Sequence, residues 1–289
     1  MIWLTLSILS SAGIFVSFGL FSRWKVDNQL AISANYTVAA LLGFILAPEG
    51  LPTELPSWWW SALFLGTAFI FLFYKMAILT QEGGLALSTM GSQMSMVIPI
   101  AMAPLLYNES LSPLQIIAIA IGLSSIALMV WKKSPSSTTH LQNLLPLTLL
   151  IFIGTGLCTL MVKYSRHFMV SDSAELTFIS TVFGISAIIG WIGYFKKPAL
   201  PAAEFRKGVL AGIVLGIPNL GSLVFLIKSL ATPGLDSAFV FPINNIGIVL
   251  LSTLFGSILF KERLNKGGKL GILCAVTSVL ILVFLAFQQ

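Results

Sequence analysis

Long uninterrupted runs of apolar residues constrain the fold of this chain more than any other feature of its sequence. Ten runs are long enough to cross the roughly 30 Å hydrocarbon core of a bilayer. They lie at about 2–22, 29–47, 58–80, 84–107, 112–131, 142–164, 174–195, 207–230, 234–260 and 266–287. Because no water at that depth can satisfy exposed backbone groups, each run is predicted to be a helix.

The composition indicates a bilayer, and not water, as the solvent. Of the 289 residues, 57% are hydrophobic and 9% are charged, whereas a soluble domain carries about 25% charged residues. The breaks between runs are short and leave no room for a soluble domain. We therefore expect an all-α integral membrane protein that crosses a prokaryotic cytoplasmic (inner) membrane many times.

Two similar hexapeptides indicate an internal repeat. LYNESL at 106–111 and LFKERL at 259–264 each follow a long apolar run. Sliding the chain against itself by 153 positions places Glu109 on Glu262 and aligns runs three to five with runs eight to ten without a gap. The same shift places Lys75 on Lys228.

The repeat divides the chain into two five-helix halves. We predict a first repeat at 1–133, a linker loop at 134–141 and a second repeat at 142–289. An odd number of helices in each repeat forces the second copy to cross the membrane in the opposite orientation. Inverted repeats with a substrate site between them recur among secondary transporters.

With ten runs, a five-plus-five duplication and a Glu-x-Leu motif after runs four and nine, the chain resembles the EamA-type members of the drug/metabolite transporter superfamily. The resemblance covers essentially the whole chain. It implies a carrier, driven by protons or exchange, for small metabolites such as amino acids, drugs or nucleotide sugars. It also implies that helices 1, 3, 4, 6, 8 and 9 surround a central cavity, with helices 5 and 10 outside them.

The two repeated glutamates, Glu109 and Glu262, are predicted to be hinge residues. We expect each carboxylate to cap or pair at a helix junction by accepting hydrogen bonds from the N-terminal amides of the next helix. A gating role is the alternative.

Neutral polar side chains near mid-depth are the candidate substrate-binding residues: Gln93, Asn219, Asn244 and Asn245. Carboxamides donate and accept hydrogen bonds at once, which suits an amino acid or a related amide-like solute. The alternative is that they bond one helix to another. Asn244 is the stronger candidate of the adjacent pair, because its repeat mate, Gly91, leaves room opposite. Tyr74 could line an apolar wall of the same site, with core packing as the alternative.

Two lysines within apolar runs, Lys75 and Lys228, have two possible roles. They could be gates that attract an anionic group at each mouth of a pathway. Alternatively, their stems could snorkel, carrying the ammonium groups to the interface.

The positions of the acidic residues indicate whether transport could be coupled to protons. All ten lie in loops or near helix ends. A proton antiporter for cations usually needs a carboxylate inside the membrane. We therefore expect an exchanger or facilitator, or protons coupled elsewhere than through a buried acid.

Enzymatic chemistry is not expected. His140 and His167 lie in loops, and the sequence has no G-x-S-x-G elbow and no phosphate-binding loop. Cys158 and Cys274 fall inside apolar runs without metal-ligand spacing, so neither a metal site nor a cofactor is predicted.

The distribution of lysine and arginine predicts the orientation. Twelve of the sixteen lie in the loops after odd-numbered runs and two lie in the loops after even-numbered runs. Because these residues favour the cytoplasmic side, both termini are predicted to lie outside the cytoplasm, whereas the family resemblance implies termini inside. The net charge of +6 is thus explained by the membrane topology, and no nucleic-acid partner is predicted from it.

These features together predict a secondary transporter, an exporter or exchanger of a small polar metabolite that works by alternating access between the two repeats. Its expected partners are the solute and the lipid bilayer, and a monomer would suffice. The alternatives are a membrane scaffold or receptor that transports nothing and, less favoured, an intramembrane enzyme. Solute flux in liposomes distinguishes the three.

Overall fold

The computed structural model describes residues 1–47, 54–99, 101–102, 112–130, 144–230, 232, 237–262, 264 and 266–286. The helices are α1 (Ile2–Arg23), α2 (Asn28–Leu46), α3 (Trp59–Gly83), α4 (Leu85–Gln93), α5 (Pro113–Val130), α6 (Leu145–Phe168), α7 (Glu175–Phe195), α8 (Ala202–Leu230), α9 (Ser237–Leu259) and α10 (Lys266–Ala286). A 3-10 turn at Met94–Met96 follows α4. These ranges contain no strand, which confirms the all-helical class.

Six of the helices are long and apolar enough to cross a membrane: α1, α2, α3, α6, α7 and α8. Large apolar side chains face outward on them, as on α7 and α8, where Ile192 is 54% exposed and Leu210 is 60% exposed. Water would disfavour such a surface, and lipid tails accept it. The fold is therefore that of a membrane-embedded helical protein, and the ten-span count remains a prediction.

Contacts between helix termini define two ends of the bundle. At one end, Arg23 is the last residue of α1 and Leu259 is the last residue of α9. The Arg23 Nη2 donates a hydrogen bond of 2.6 Å to the carbonyl oxygen of Leu259. At the same end, the ammonium of Lys207 in the first turns of α8 contacts the carbonyl oxygen of Trp24. We call this the basic end, and the opposite one the far end.

The helices pack in a regular pattern. α2 packs on α7, and α5 on α10; α1 packs on α8 and α9, and α6 packs on α3 and α4. α2 also packs on α8, and α7 on α3. In addition α1 packs on α3 and α4, whereas the part of α6 that is described makes at most slight contact with α8 and α9.

Small residues allow two of these pairs to approach closely. In the α2–α8 pair, a Cβ added at Gly216 would lie 2.8 Å from Cβ of Val38. In the α5–α10 pair, the Ser278 hydroxyl donates to the carbonyl oxygen of Ala118 at 2.6 Å. A Cβ added at Gly122 would lie 2.9 Å from that same hydroxyl. Short approaches of this kind are what small residues provide in lipid.

Candidate functional site

The helix α9 carries buried polar atoms that form no hydrogen bond with any described residue. Asn244 is 6% exposed and Ser252 is fully buried. The Asn244 Oδ1, the Ser252 Oγ and the Thr253 Oγ1 make no hydrogen bond within the part of the chain that is described. A buried polar group left unsatisfied costs about 1–3 kcal/mol, so three of them on one helix need a physical reason.

The side of α9 that carries Asn244 and Ser252 is directed at α1 and α4. A Cβ added at Gly247 would meet the Ile8 side chain of α1. The Asn245 Nδ2 lies 3.0 Å from the Met96 sulfur, in the 3-10 turn after α4. Because adjacent residues on a helix are about 100° apart, Asn244 is turned away from Asn245. A thioether is a weak acceptor, so the carboxamide of Asn245 has hydrogen-bonding capacity to spare.

Gln93 is the last residue of α4 and lies one helical turn before Met96. Its side chain is half-buried and has no hydrogen bond to another described residue. Gln93, Asn244 and Asn245 are therefore carried by two helices that pack on each other, and each retains hydrogen-bonding capacity.

Asn219 has a different position from the other three candidates. Its Nδ2 donates to the Oδ1 of Asn35 at 3.1 Å, and both side chains are buried. Asn219 therefore lies in the α2–α8 interface and not beside the α9 face, which favours a bond between helices over a role in binding. Asn35 was missed in the sequence, although a carboxamide in the middle of the run 29–47 is the signal that could have found it.

Lys75 lies on the outer face of α3. That face also carries Phe64 and Phe71, which are 46% and 49% exposed, whereas Leu65 on the opposite face is fully buried. The Lys75 ammonium lies 5.5 Å from the centre of the Phe71 ring. An outward position favours the snorkelling alternative over a gate. Tyr74 beside it is half-buried and has no hydrogen bond within the described chain.

Lys228 is exposed at the far end of α8. Its ammonium lies 4.6 Å from the centre of the Trp3 ring, and Trp3 stacks on Phe225 with the ring centroids 5.9 Å apart. The two lysines that the 153-residue shift aligns thus differ in exposure and surroundings. Lys228 is the one that stands at an end of the bundle, where an anionic group could approach it.

Glu262 caps a helix, but a different helix from the one predicted. Its Oε1 accepts from the backbone N–H of Leu85 at 2.8 Å, so within the described residues it caps α4 and not the following helix, α10. The prediction missed this partner because it lies 177 residues away in sequence. Glu109 and the linker 134–141 lie outside the described residues.

Two glycines make room for the Glu262 carboxylate. Gly84 has a φ of 89°, a value that glycine adopts without steric cost, and a Cβ there would lie 2.9 Å from the carboxyl carbon. A Cβ at Gly256 would lie 2.6 Å from Oε2. Burial raises the pKa of the Glu262 carboxyl above its ordinary value of 4.5, and hydrogen bonds from the backbone N–H groups of Leu85 and Ala86 partly offset that rise.

The basic end is closed by contacts among α1, α4 and α9. The Arg23 guanidinium lies 4.6 Å above the Phe260 ring. Phe260 in turn packs on α1 at Gly19, where an added Cβ would lie 2.6 Å from the ring. Together with the Glu262 cap on α4, these contacts hold the three helices together at this end.

Two open grooves lie on the outer surface. The first, of about 470 Å³, is at the basic end and is lined by Trp24, Arg206 and Lys207 among others. The second, of about 370 Å³, is at the far end beside Phe44 and Trp58. Neither groove is lined by Asn244, so neither corresponds to the central cavity that the sequence predicts.

No cluster of three or more His, Cys, Asp or Glu side chains that could hold a metal ion occurs in the described ranges. Cys158 and Cys274 are both free thiols.

Comparison with known proteins extends the description of the fold. No protein-family model matches the chain. The chain is similar to an uncharacterized protein of Haemophilus influenzae, with 26% identity over 290 residues that cover 98% of this chain and 97% of the relative. A solved crystal structure of a protein matches with a TM-score of 0.60 over 99% of this chain and 98% of that one, at 13% identity. At that identity the likeness extends to the fold alone.

Proposed function

We propose that this chain is a secondary transporter of the EamA type, an exporter or exchanger of a small polar metabolite such as an amino acid or a related compound. In this proposal ten helices form two inverted five-helix repeats around a central pathway. Alternating access at the two ends of the bundle moves the solute across a prokaryotic inner membrane.

The helix boundaries support the repeat. α5 begins at Pro113 and α10 at Lys266, which are separated by 153 positions (266 minus 113), the same offset as that of the two glutamates. α4 begins at Leu85 and α9 at Ser237, an offset of 152 (237 minus 85). These two helix pairs therefore start at equivalent places, whereas α3 and α8 begin 143 positions apart (202 minus 59).

The packing pattern also supports the repeat. If α1 to α5 correspond to α6 to α10, the α1–α8 and α6–α3 contacts are the same contact seen twice. The α1–α9 and α6–α4 contacts correspond in the same way, as do α2–α8 and α7–α3. The α2–α7 and α5–α10 pairs then lie on the axis that relates the two repeats. Such reciprocity is expected of two copies around a pseudo-two-fold axis.

The observation that carries the transport proposal is the set of unpartnered polar atoms on α9. Asn244 Oδ1 and Ser252 Oγ are buried without a hydrogen-bond partner among the described residues. Their helix packs on its repeat mate, α4. A bound solute with N–H or O–H groups would satisfy these atoms.

Asymmetry between the two ends supports alternating access. α1 packs on α3 and α4, but the described part of α6 makes at most slight contact with their counterparts, α8 and α9. In the proposed cycle the basic end is the closed gate of this conformation. Rearrangement of the repeats would release the Arg23–Leu259 and Glu262–Leu85 contacts.

Counterflow in liposomes tests the proposal. Purified protein is reconstituted without a pH gradient and screened with labelled amino acids, amines, nucleobases and sugar conjugates. We expect exchange of at least one solute, with its affinity lowered about five-fold or more in Asn244→Ala because a hydrogen-bonding partner is lost. Gln93→Ala and Asn245→Ala are tested beside it.

Four outcomes would contradict the proposal or a part of it. Wild-type solute affinity in all three variants would show that the binding site lies elsewhere in the protein. Solute consumed without net movement would indicate an enzyme, and neither flux nor turnover would indicate a scaffold. Strict dependence on a proton gradient, abolished by neutralising one acid, would contradict the exchange mechanism.

A further inference from the structure

The groove at the basic end has properties that the transport proposal does not use. It is open to the outside of the bundle, has a volume of about 470 Å³ and lies where α1 ends, α2 begins and α8 starts. Its lining combines Trp24, Arg206 and Lys207 with the apolar side chains of Leu210 and Val214.

The rim of this groove carries an excess of positive charge. The segments 23–27 and 196–207 together contain six Lys or Arg residues and two acids. One of the acids, Asp27, is already engaged: it accepts from the backbone N–H of Leu30 at 2.8 Å and pairs with Lys197 at 3.6 Å. The other, Glu204, forms no ion pair with another described residue.

Arg206 is a cation of the rim that has no anionic partner among the described residues. It is exposed and its guanidinium has no hydrogen bond or ion pair to any other described residue. Lys207 beside it contacts only the carbonyl oxygen of Trp24, which adds no negative charge to neutralise its ammonium. Two adjacent cations therefore face the groove without an anionic partner.

The groove continues into an apolar stripe along α8. Leu210, Val214 and Ile217 are 60%, 59% and 61% exposed and follow each other at helical spacing. From Arg206 to Ile217 the helix rises about 16 Å, roughly half of a bilayer's hydrocarbon thickness. Trp24, which is 50% exposed, lies at the rim, the depth at which indoles favour the membrane interface.

We propose that this groove is a binding site for an anionic phospholipid. The phosphate and headgroup lie on Arg206 and Lys207 at the interface, and one acyl chain lies along Leu210, Val214 and Ile217. The apolar stripe distinguishes this ligand from a soluble anion, which would gain nothing from it. Basic pockets between membrane helices bind anionic headgroups in this way, and the lipid would bridge α8 and the connection between α1 and α2.

Lipid titration of purified protein in detergent tests this site. The probes are dioleoyl phosphatidylglycerol, dioleoyl phosphatidylcholine and free glycerol phosphate, with bound lipid counted by native mass spectrometry and melting followed in parallel. We expect wild type to retain phosphatidylglycerol preferentially and to melt higher with it. Arg206→Gln should lose about five-fold in affinity for it, the effect of one basic residue near a membrane surface.

Lys269→Gln is the matched control, because Lys269 is exposed in the first turn of α10, a helix that does not line the groove. It should retain affinity within two-fold of wild type, and Arg206→Lys should recover most of the lost affinity. Unchanged affinity in Arg206→Gln would overturn the site. Equal losses of affinity in both Gln variants would mean that the lipid is attracted by diffuse surface charge and not by this groove. Stabilisation by glycerol phosphate equal to that by phosphatidylglycerol would mean that the ligand is a soluble anion.

A measurement on the wild-type protein is independent of any variant's folding. Phosphatidylglycerol with a photoreactive group on its acyl chain is cross-linked in nanodiscs, and the labelled peptides are identified. Labels are expected on the α8 segment 210–217. Labels confined to other helices would overturn the assignment.

Discussion

Two buried asparagines illustrate how the same side chain serves different purposes in this bundle. Asn219 donates to Asn35 across the α2–α8 interface, so its carboxamide contributes to helix association. Asn244 is equally buried, but its Oδ1 has no partner among the described residues. A buried polar atom without a hydrogen-bond partner among the described residues is the kind of group that a solute would bind.

Replacing each asparagine by leucine should separate stability from function. In Asn244→Leu we expect an unchanged or higher melting temperature and a strong loss of solute affinity, because an unsatisfied acceptor is removed. In Asn219→Leu we expect a lower melting temperature with residual transport, because Asn35 loses its partner. Thermal unfolding in detergent and counterflow in liposomes measure the two effects. A large loss of stability in Asn244→Leu alone would contradict this division.

Glu262 is one of two acids in the described ranges, with Glu175, whose ionisation is disfavoured by burial. Burial raises the pKa of its carboxyl above 4.5, so the folded state holds this proton more tightly than the unfolded chain does. Its contribution to stability is therefore fully present below pH 4.5 and is lost as the pH rises through the raised folded-state pKa.

The variant Glu262→Gln tests whether the stability contributed by Glu262 falls with rising pH. The glutamine keeps an oxygen that can accept from Leu85 N–H but cannot ionise. We expect wild-type stability relative to Glu262→Gln to fall as the pH rises from 4.5 towards neutrality, measured by thermal unfolding at a series of pH values. A difference that is constant, or that grows with pH, would show that burial does not control this carboxyl.

At the scale of helices, α2 and α8 can pack closely because Gly216 has no side chain at their contact. A Cβ at Gly216 would lie 2.8 Å from Cβ of Val38 and 3.0 Å from the Asn35 carbonyl oxygen. Backbone cannot move aside as a flexible side chain can, so the contact tolerates little extra volume.

Gly216→Ala should therefore destabilise the protein by about 1–3 kcal/mol through overpacking. Gly184→Ala in α7 is the matched control, because its added Cβ would only touch Phe44 at 4.0 Å. There the better helix propensity of alanine should leave stability unchanged or raise it by up to about 1 kcal/mol. Similar melting temperatures for the two variants would mean that α2 and α8 can separate without cost.

At the scale of the whole molecule, the charges of the loops predict how the bundle sits in the membrane. Arg23, Lys207 and their neighbours gather at the basic end, where α1 and α9 finish. If that end faces the cytoplasm, as lysine and arginine prefer, the two chain termini lie on the other side.

A reporter fused after Gln289 measures this orientation. A phosphatase that is active only outside the cytoplasm should be strongly active there. A fluorescent protein that folds only in the cytoplasm should remain dark at the same position. The reverse result would favour termini inside, as the family resemblance implies, and would place the proposed lipid site in the outer leaflet.

The sequence alone determined the helical class and the membrane setting, because apolar runs of that length have few alternatives in water or in lipid. It also identified Glu262 as a capping residue and Asn244 as a polar group at depth, since both stand out against an apolar background. Only the tertiary structure decided which helix Glu262 caps, which asparagine is paired and what surrounds each of the two lysines. Those outcomes depend on contacts between segments far apart in the chain, and a local pattern does not encode the rotation of one helix against another.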